Sequence, residues 1–126
     1  MLELKRVSNE ELFGADEETV VARFTDIKIM LDGEQIGYIE MFENLDEDGD
    51  TENTLVKSIA INEEHRNNGY GTAALKQLAS EQGDIYICPD NEDAERLYQR
   101  IGEETDAPEN LEGEMDEYGA MYIIEG

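Results

Sequence analysis

Apolar residues recur along this chain with two periods, two in its first half and about 3.6 in its second. Leu2 and Leu4, continued to Val7, alternate with polar neighbours and predict an opening strand. Ser8-Asn9-Glu10-Glu11 then reads as a helix start, with Ser8 as cap and Glu11 three positions on. Leu12 and Phe13 are that helix's apolar share, and Gly14 stops it. Glu18 to Leu31 is rich in Val, Phe, Thr and Ile, Asp32-Gly33 closes it as a tight turn, and Gln35 to Phe42 resumes the pattern. That is a hairpin signature. The acidic stretch Glu43 to Asn53 is predicted to link this hairpin to the strand that ends at Ile61.

In the second half, Val56, Ile59, Ala60 and Ile61 form a short β-branched run suited to a strand buried on both faces. Arg66-Asn67-Asn68-Gly69-Tyr70-Gly71-Thr72 follows, and Ala73, Ala74, Leu75, Leu78 and Ala79 then fall at helical spacing as far as Gln82-Gly83. Two glycines at a helix start leave backbone N–H groups free to face a ligand, and the helix dipole adds roughly half a positive charge there. Arg66 supplies a cationic fork suited to phosphate. Asp84 to Pro89 reads as another buried strand. Ala94, Leu97, Tyr98 and Ile101 then mark one face of a second helix, Glu103 to Glu117 a polar loop, and Tyr118 to Ile124 a closing strand.

With 126 residues, 39 % of them hydrophobic, the chain is expected to be one globular domain spanning residues 1–126. No apolar run approaches the roughly 18 residues of a membrane span, and Met1 to Arg6 has no signal-peptide core. One cysteine excludes an internal disulfide, so the expected compartment is cytoplasmic. Charge changes the picture most: 33 acidic residues face nine basic ones, a formal net charge of −24. Such a surface repels nucleic acid and membranes, so no direct partner of either kind is expected. It is compatible with a cationic acceptor, a salt-rich habitat, mimicry of nucleic acid, or a solvated surface of no special purpose. Asn44 to Glu52 imitates part of a calcium loop, but Leu55 stands where a bidentate Glu belongs, so no metal is expected.

Arg66-x-x-Gly69-x-Gly71 after the Ser58-Ile59-Ala60-Ile61 strand resembles the acyl-CoA signature of the GNAT (Gcn5-related) N-acetyltransferases. Asn91-x-x-Ala94-x-x-Leu97-Tyr98-x-x-Ile101-Gly102 resembles that family's second motif, although Glu103 stands where relatives carry an aromatic. The resemblance implies an α/β fold with a mixed, twisted sheet. Its strands ending at Ile61 and Cys88 should splay to admit acetyl-CoA, with the two motif helices packed against it. The N-terminal helical region is reduced relative to the family, which suggests an open acceptor site.

The implied reaction is direct transfer of an acetyl group from acetyl-CoA to an amine. The turn Arg66, Asn67, Asn68, Gly69, Tyr70, Gly71 and Thr72 would hold the pyrophosphate. Backbone groups of Ile59, Ala60 and Ile61 would take the pantetheine arm and the thioester carbonyl, and Asn91 the arm's other side unless it caps the helix. Tyr98 would protonate the departing thiolate, its phenol pKa of about 10 lying above that of the thiol, or else be a core residue. No carboxylate lies between Thr54 and Ile61, so the base is left open among Glu40, which is also readable as an outward-facing strand residue, an acidic side chain from the loops, and a relay of ordered water. His65 reads as a surface or phosphate-side group, and Cys88 as a small hydrophobe. The family allows a homodimer, and nothing in the sequence specifies its interface. The rival expectation is a binding protein that kept the fold, lost catalysis and engages a basic partner.

Overall fold

In a computed structural model, which describes every residue except Asp116, the first half of the chain is an antiparallel meander. It comprises β1 (Leu2–Phe13), β2 (Val20–Leu31), β3 (Glu34–Leu45) and β4 (Thr51–Ile61). Asp32 and Gly33, both at positive φ, make the β2–β3 turn anticipated from their sequence. The acidic linker is shorter than expected, because β3 and β4 run into it. At its tip the Asp46 carboxylate accepts from the amides of Asp48 and Asp50, which ties the turn to itself.

The second half supplies α1 (Tyr70–Gln82), β5 (Ile85–Ile87), α2 (Glu92–Ile101), β6 (Glu103–Thr105) and β7 (Met121–Ile124). Among the described residues seven strands form one sheet, in the order β1-β2-β3-β4-β5-β7-β6. β5 is parallel to β4, and all other neighbours are antiparallel. Ile27, Ile29, Ile39, Met41 and Val56 on one face pack under Leu75 and Leu78 of α1 and Tyr98 of α2. The opposite face carries a smaller cluster of Ala22, Phe42, Leu55, Leu111 and Met121.

Two expectations are corrected. Ser8 to Phe13 is not a helix but the second half of β1, paired with β2 from Ser8↔Asp26 to Phe13↔Val20. The Ser8 hydroxyl donates to the Asp26 carboxylate at 2.9 Å and caps nothing. A helix there could bury little beyond Leu12 and Phe13, whereas the strand gives the backbone a continuous ladder. The tail is likewise not all loop. Glu103–Thr105 pairs with β7, and Glu109–Glu114 forms a 3-10 turn whose Leu111 is fully buried. Asp116 of that tail lies outside the described residues.

Candidate functional site

Lys57 opens the site. Glu40 pairs with Ser58 and Met41 with Val56, so Lys57 is an extra residue, a β-bulge in β4. Beyond the bulge β4 stays paired with β3 as far as Ile61↔Gly37. On its other side it pairs with β5 at Leu55↔Tyr86 and Val56↔Ile87 and no further among the described residues. From Lys57 onward the two strands separate, and a cleft of about 490 Å³ fills the gap. Its walls are Ile59, Ala60 and Ile61 of β4, Gly71 and Leu75 of α1, and Asn91, Ala94, Leu97 and Tyr98 around α2. The splay expected between these strands is present.

At one end the cleft meets the turn into α1, lined by His65, Arg66, Asn67, Gly69, Tyr70, Gly71 and Thr72, with Asp93 of α2 facing them. Gly69 takes φ 77°, a left-handed conformation that suits glycine, and starts the helix without any side-chain cap. The amides of Tyr70, Gly71 and Thr72, which helix geometry leaves without carbonyl partners, therefore face the cleft end. Charge placement sharpens this. The first turn of α1 holds no carboxylate, whereas that of α2 holds Glu92, Asp93 and Glu95. In a chain with 33 acidic residues, a helix start with no carboxylate in its own first turn favours an anion there, against the one carboxylate of α2, Asp93, that lines the same end of the cleft. Arg66 is anchored by its Nε to the Ile61 carbonyl at 2.9 Å, which leaves its terminal nitrogens to the cleft. Asn68 braces the turn from behind, donating to the carbonyls of His65 and Arg66.

Gly71 is informative because the fold does not require it. A Cβ there would meet only an Ile61 side-chain carbon at 3.8 Å, an ordinary contact. The space such a Cβ would take belongs to the cleft, so a closely approaching ligand accounts for the glycine better than packing does.

The other candidate residues divide. Tyr98 is buried and lines the cleft, its ring centroid 6.3 Å from that of Tyr122. Asn91 lines the cleft too, but its carboxamide is engaged: Oδ1 caps α2 through the Ala94 amide at 2.8 Å and Nδ2 donates to Asp90. The capping reading of Asn91 is the one observed. His65 lies at the α1 end of the cleft, its Nε2 4.0 Å from Glu34 and 3.8 Å from Glu64. Cys88 is half-buried against the smaller core cluster.

Glu40 is not brought into the cleft. It points to the opposite face of the sheet, beside Asp26 and Ser58, which are its cross-strand partners. There it lines a second cavity of about 490 Å³ with Ser8, Asn9, Glu10, Phe24 and Asp26. Ser58 directly precedes the Ile59–Ile61 wall, so Glu40 and the cleft lie on two sides of one strand. The sequence reading missed Arg100, which joins the α1 end of the cleft one helical turn beyond Leu97. Its signal was the helical spacing Asp93, Leu97, Arg100, a stripe next to the apolar face.

A twisted sheet opened by a bulge between two strands, with a helix N-terminus at the mouth, is the GNAT fold. The chain belongs to the acetyltransferase (GNAT) family, whose model matches residues 3–102. Among solved structures it is similar to a GNAT family acetyltransferase from Elizabethkingia anophelis with acetyl-CoA bound, at 21 % identity and TM-score 0.56, covering 82 % of this chain and 76 % of that one. It is also similar to an acetyltransferase from Thermus thermophilus, at 18 % identity and TM-score 0.53, covering 80 % of this chain and 62 % of that one. A third likeness, to the KacTA–DNA complex, has 12 % identity and TM-score 0.62 and covers 99 % and 93 %. This chain thus spans less than two thirds of the Thermus protein's length. Comparison with curated protein sequences finds no match.

Proposed function

We propose that this chain transfers the acetyl group of acetyl-CoA to a primary amine by direct attack. The observation that carries the reading is the carboxylate-free, uncapped start of α1 opening into the cleft, within a chain of net charge −24. The amides of Tyr70 to Thr72, with Arg66 and Arg100, would hold the pyrophosphate, and the edge of Ile59–Ile61 would hold the pantetheine arm. Acetyl-CoA supplies the thioester as acyl donor. Backbone N–H groups of that edge would polarise its carbonyl, a contribution on the order of 3 kcal/mol in acyl-transfer sites. The amine nitrogen bonds to the carbonyl carbon as the carbon–sulfur bond breaks, and Tyr98 gives its phenolic proton to the thiolate.

The amine's surplus proton would leave toward Glu40 through water. The cavity that holds Glu40, Asp26 and Glu10 suits a cationic acceptor, which would reach the thioester from the face opposite the helices. Among the described residues the lining of this cavity comes from β1, β2 and β3, with no residue of α1 or α2, and the 3-10 turn Glu109–Glu114 meets the same face beside Phe24.

Calorimetric titration of acetyl-CoA at low and at high salt tests the proposal. Saturable binding is expected, tighter at moderate salt where the repulsion between −24 and an anionic ligand is screened. Tyr98→Phe should keep binding and lower kcat by on the order of 10²-fold or more. Absence of binding at both salts would sink the enzyme reading in favour of a fold kept for engaging a basic partner.

A further inference from the structure

β1 ends the sheet. Its inner edge is bonded to β2, and its outer edge has no strand partner among the described residues. Lys5 to Phe13 is exposed throughout, and Val7, Leu12 and Phe13 are 45 %, 36 % and 54 % exposed. A strand of this length with apolar side chains at its rim is a template for further pairing unless something covers it.

Charge along this edge is divided. Lys5 and Arg6 stand in its first half, Glu10 and Glu11 in its second. Arg6 is already bound to Glu81 and Gln82 of α1, and Glu11 to Arg23 of β2 at 3.8 Å. Among the described residues, Lys5 and Glu10 have neither an ion pair nor a side-chain hydrogen bond. Both lie on the face away from the helices, since Lys5 pairs with Lys28 and Glu10 with Phe24, four residues apart on β2. Lys28 beside Lys5 is a like-charge neighbour, so Lys5 lacks a counter-charge on its inner side.

We propose that two copies of this chain pair antiparallel through the outer edges of β1, about a two-fold axis passing between Val7 and Ser8. In that register Lys5 of each copy stands opposite Glu10 of the other, and Leu2 opposite the exposed Phe13. The contact is self-complementary, as a two-fold requires, so each favourable pair occurs twice. It makes one sheet continuous across both copies. It also walls the open rim of the Glu40 cavity, since Ser8, Asn9 and Glu10 belong to both features. Two bodies of −24 each repel strongly, so the dimer strengthens as salt screens the long-range field.

Size-exclusion chromatography with light scattering, at low and at roughly 0.5 M salt, tests this. The wild-type chain is expected to be dimeric at the higher salt. Lys5→Glu or Glu10→Lys alone turns both attractive pairs repulsive and should weaken the dimer about tenfold or more. Mixing the two variants restores every pair and should give the heterodimer, which separates loss of contact from loss of folding. A wild-type chain that is monomeric at both salts, variants that dimerise like wild type, or a mixture that stays monomeric would each overturn the proposal.

Discussion

Gly71 stands in the first turn of a helix with ordinary helical backbone, where any residue but proline fits, and a Cβ there would touch only Ile61. Gly71→Ala is therefore expected to raise stability by up to about 1 kcal/mol through helix propensity. At the same time it should weaken acetyl-CoA binding at least about tenfold by filling the space a phosphate needs. Thermal melting and calorimetry on one sample check both signs. Gly69 is the contrast: at φ 77° an alanine would cost about 1–2 kcal/mol, with ligand or without. Two tyrosines make a second residue-scale prediction. Tyr118 and Tyr122 each donate to one oxygen of Glu95 at 2.8 Å. The bond to the carboxylate, then burial, pushes the Tyr118 phenol up to about 12. Burial, then the same carboxylate, raises Tyr122. A folded-state pKa above the unfolded value favours the neutral phenol. The stabilisation is thus whole below pH 10 and is lost as pH rises from there through about 12. Glu95→Gln should bring both ionisations back toward pH 10, read as tyrosinate absorbance.

At the scale of elements, β4 carries the site because one extra residue bends it. Deleting Lys57 would remove the bulge and leave Ser58 to Ile61 in their present register against β3, on an unbent strand free to stay alongside β5. The expected result is a folded meander without a cleft and without acetyl-CoA binding, read by circular dichroism and calorimetry. That bulge was invisible in the sequence, since nothing local marks Lys57 as unpaired. The hairpin at Asp32-Gly33, the turn into α1 and the Ala94–Ile101 face were legible because each is specified by residues close along the chain. Ser8 to Phe13 was misread for the opposite reason: its capping-box pattern is local, whereas the pairing with β2 that overrides it is not. Leu111 was hidden among carboxylates, although Ala107, Leu111 and Met115 repeat every four residues and all pack on the smaller cluster. Glu40 was readable as a strand carboxylate, but which face it serves depended on register.

At the scale of the whole molecule, two residue pairs among the described residues, Leu55↔Tyr86 and Val56↔Ile87, join the β1–β4 meander to the β5-β7-β6 block within the sheet. The rest of the union is the packing of α1 and α2 across one face, the smaller cluster in which Leu111 and Met121 meet Ala22, Phe42 and Leu55 on the other, and the bonds of Asn44 and Asn53 to Asn110. The cleft is therefore also a joint. Without ligand the smaller block is expected to open on its own, so amides of Ile85–Ile87 and Met121–Ile124 should exchange with solvent before those of Ile27 and Ile39. Acetyl-CoA bound as proposed, between the edge of β4 on one side and α1 and α2 on the other, should slow exchange in both blocks together. Uniform exchange in the free protein would refute the two-block description. If the description holds, the donor substrate is also a rivet, and turnover alternately fastens and frees the two parts of the molecule.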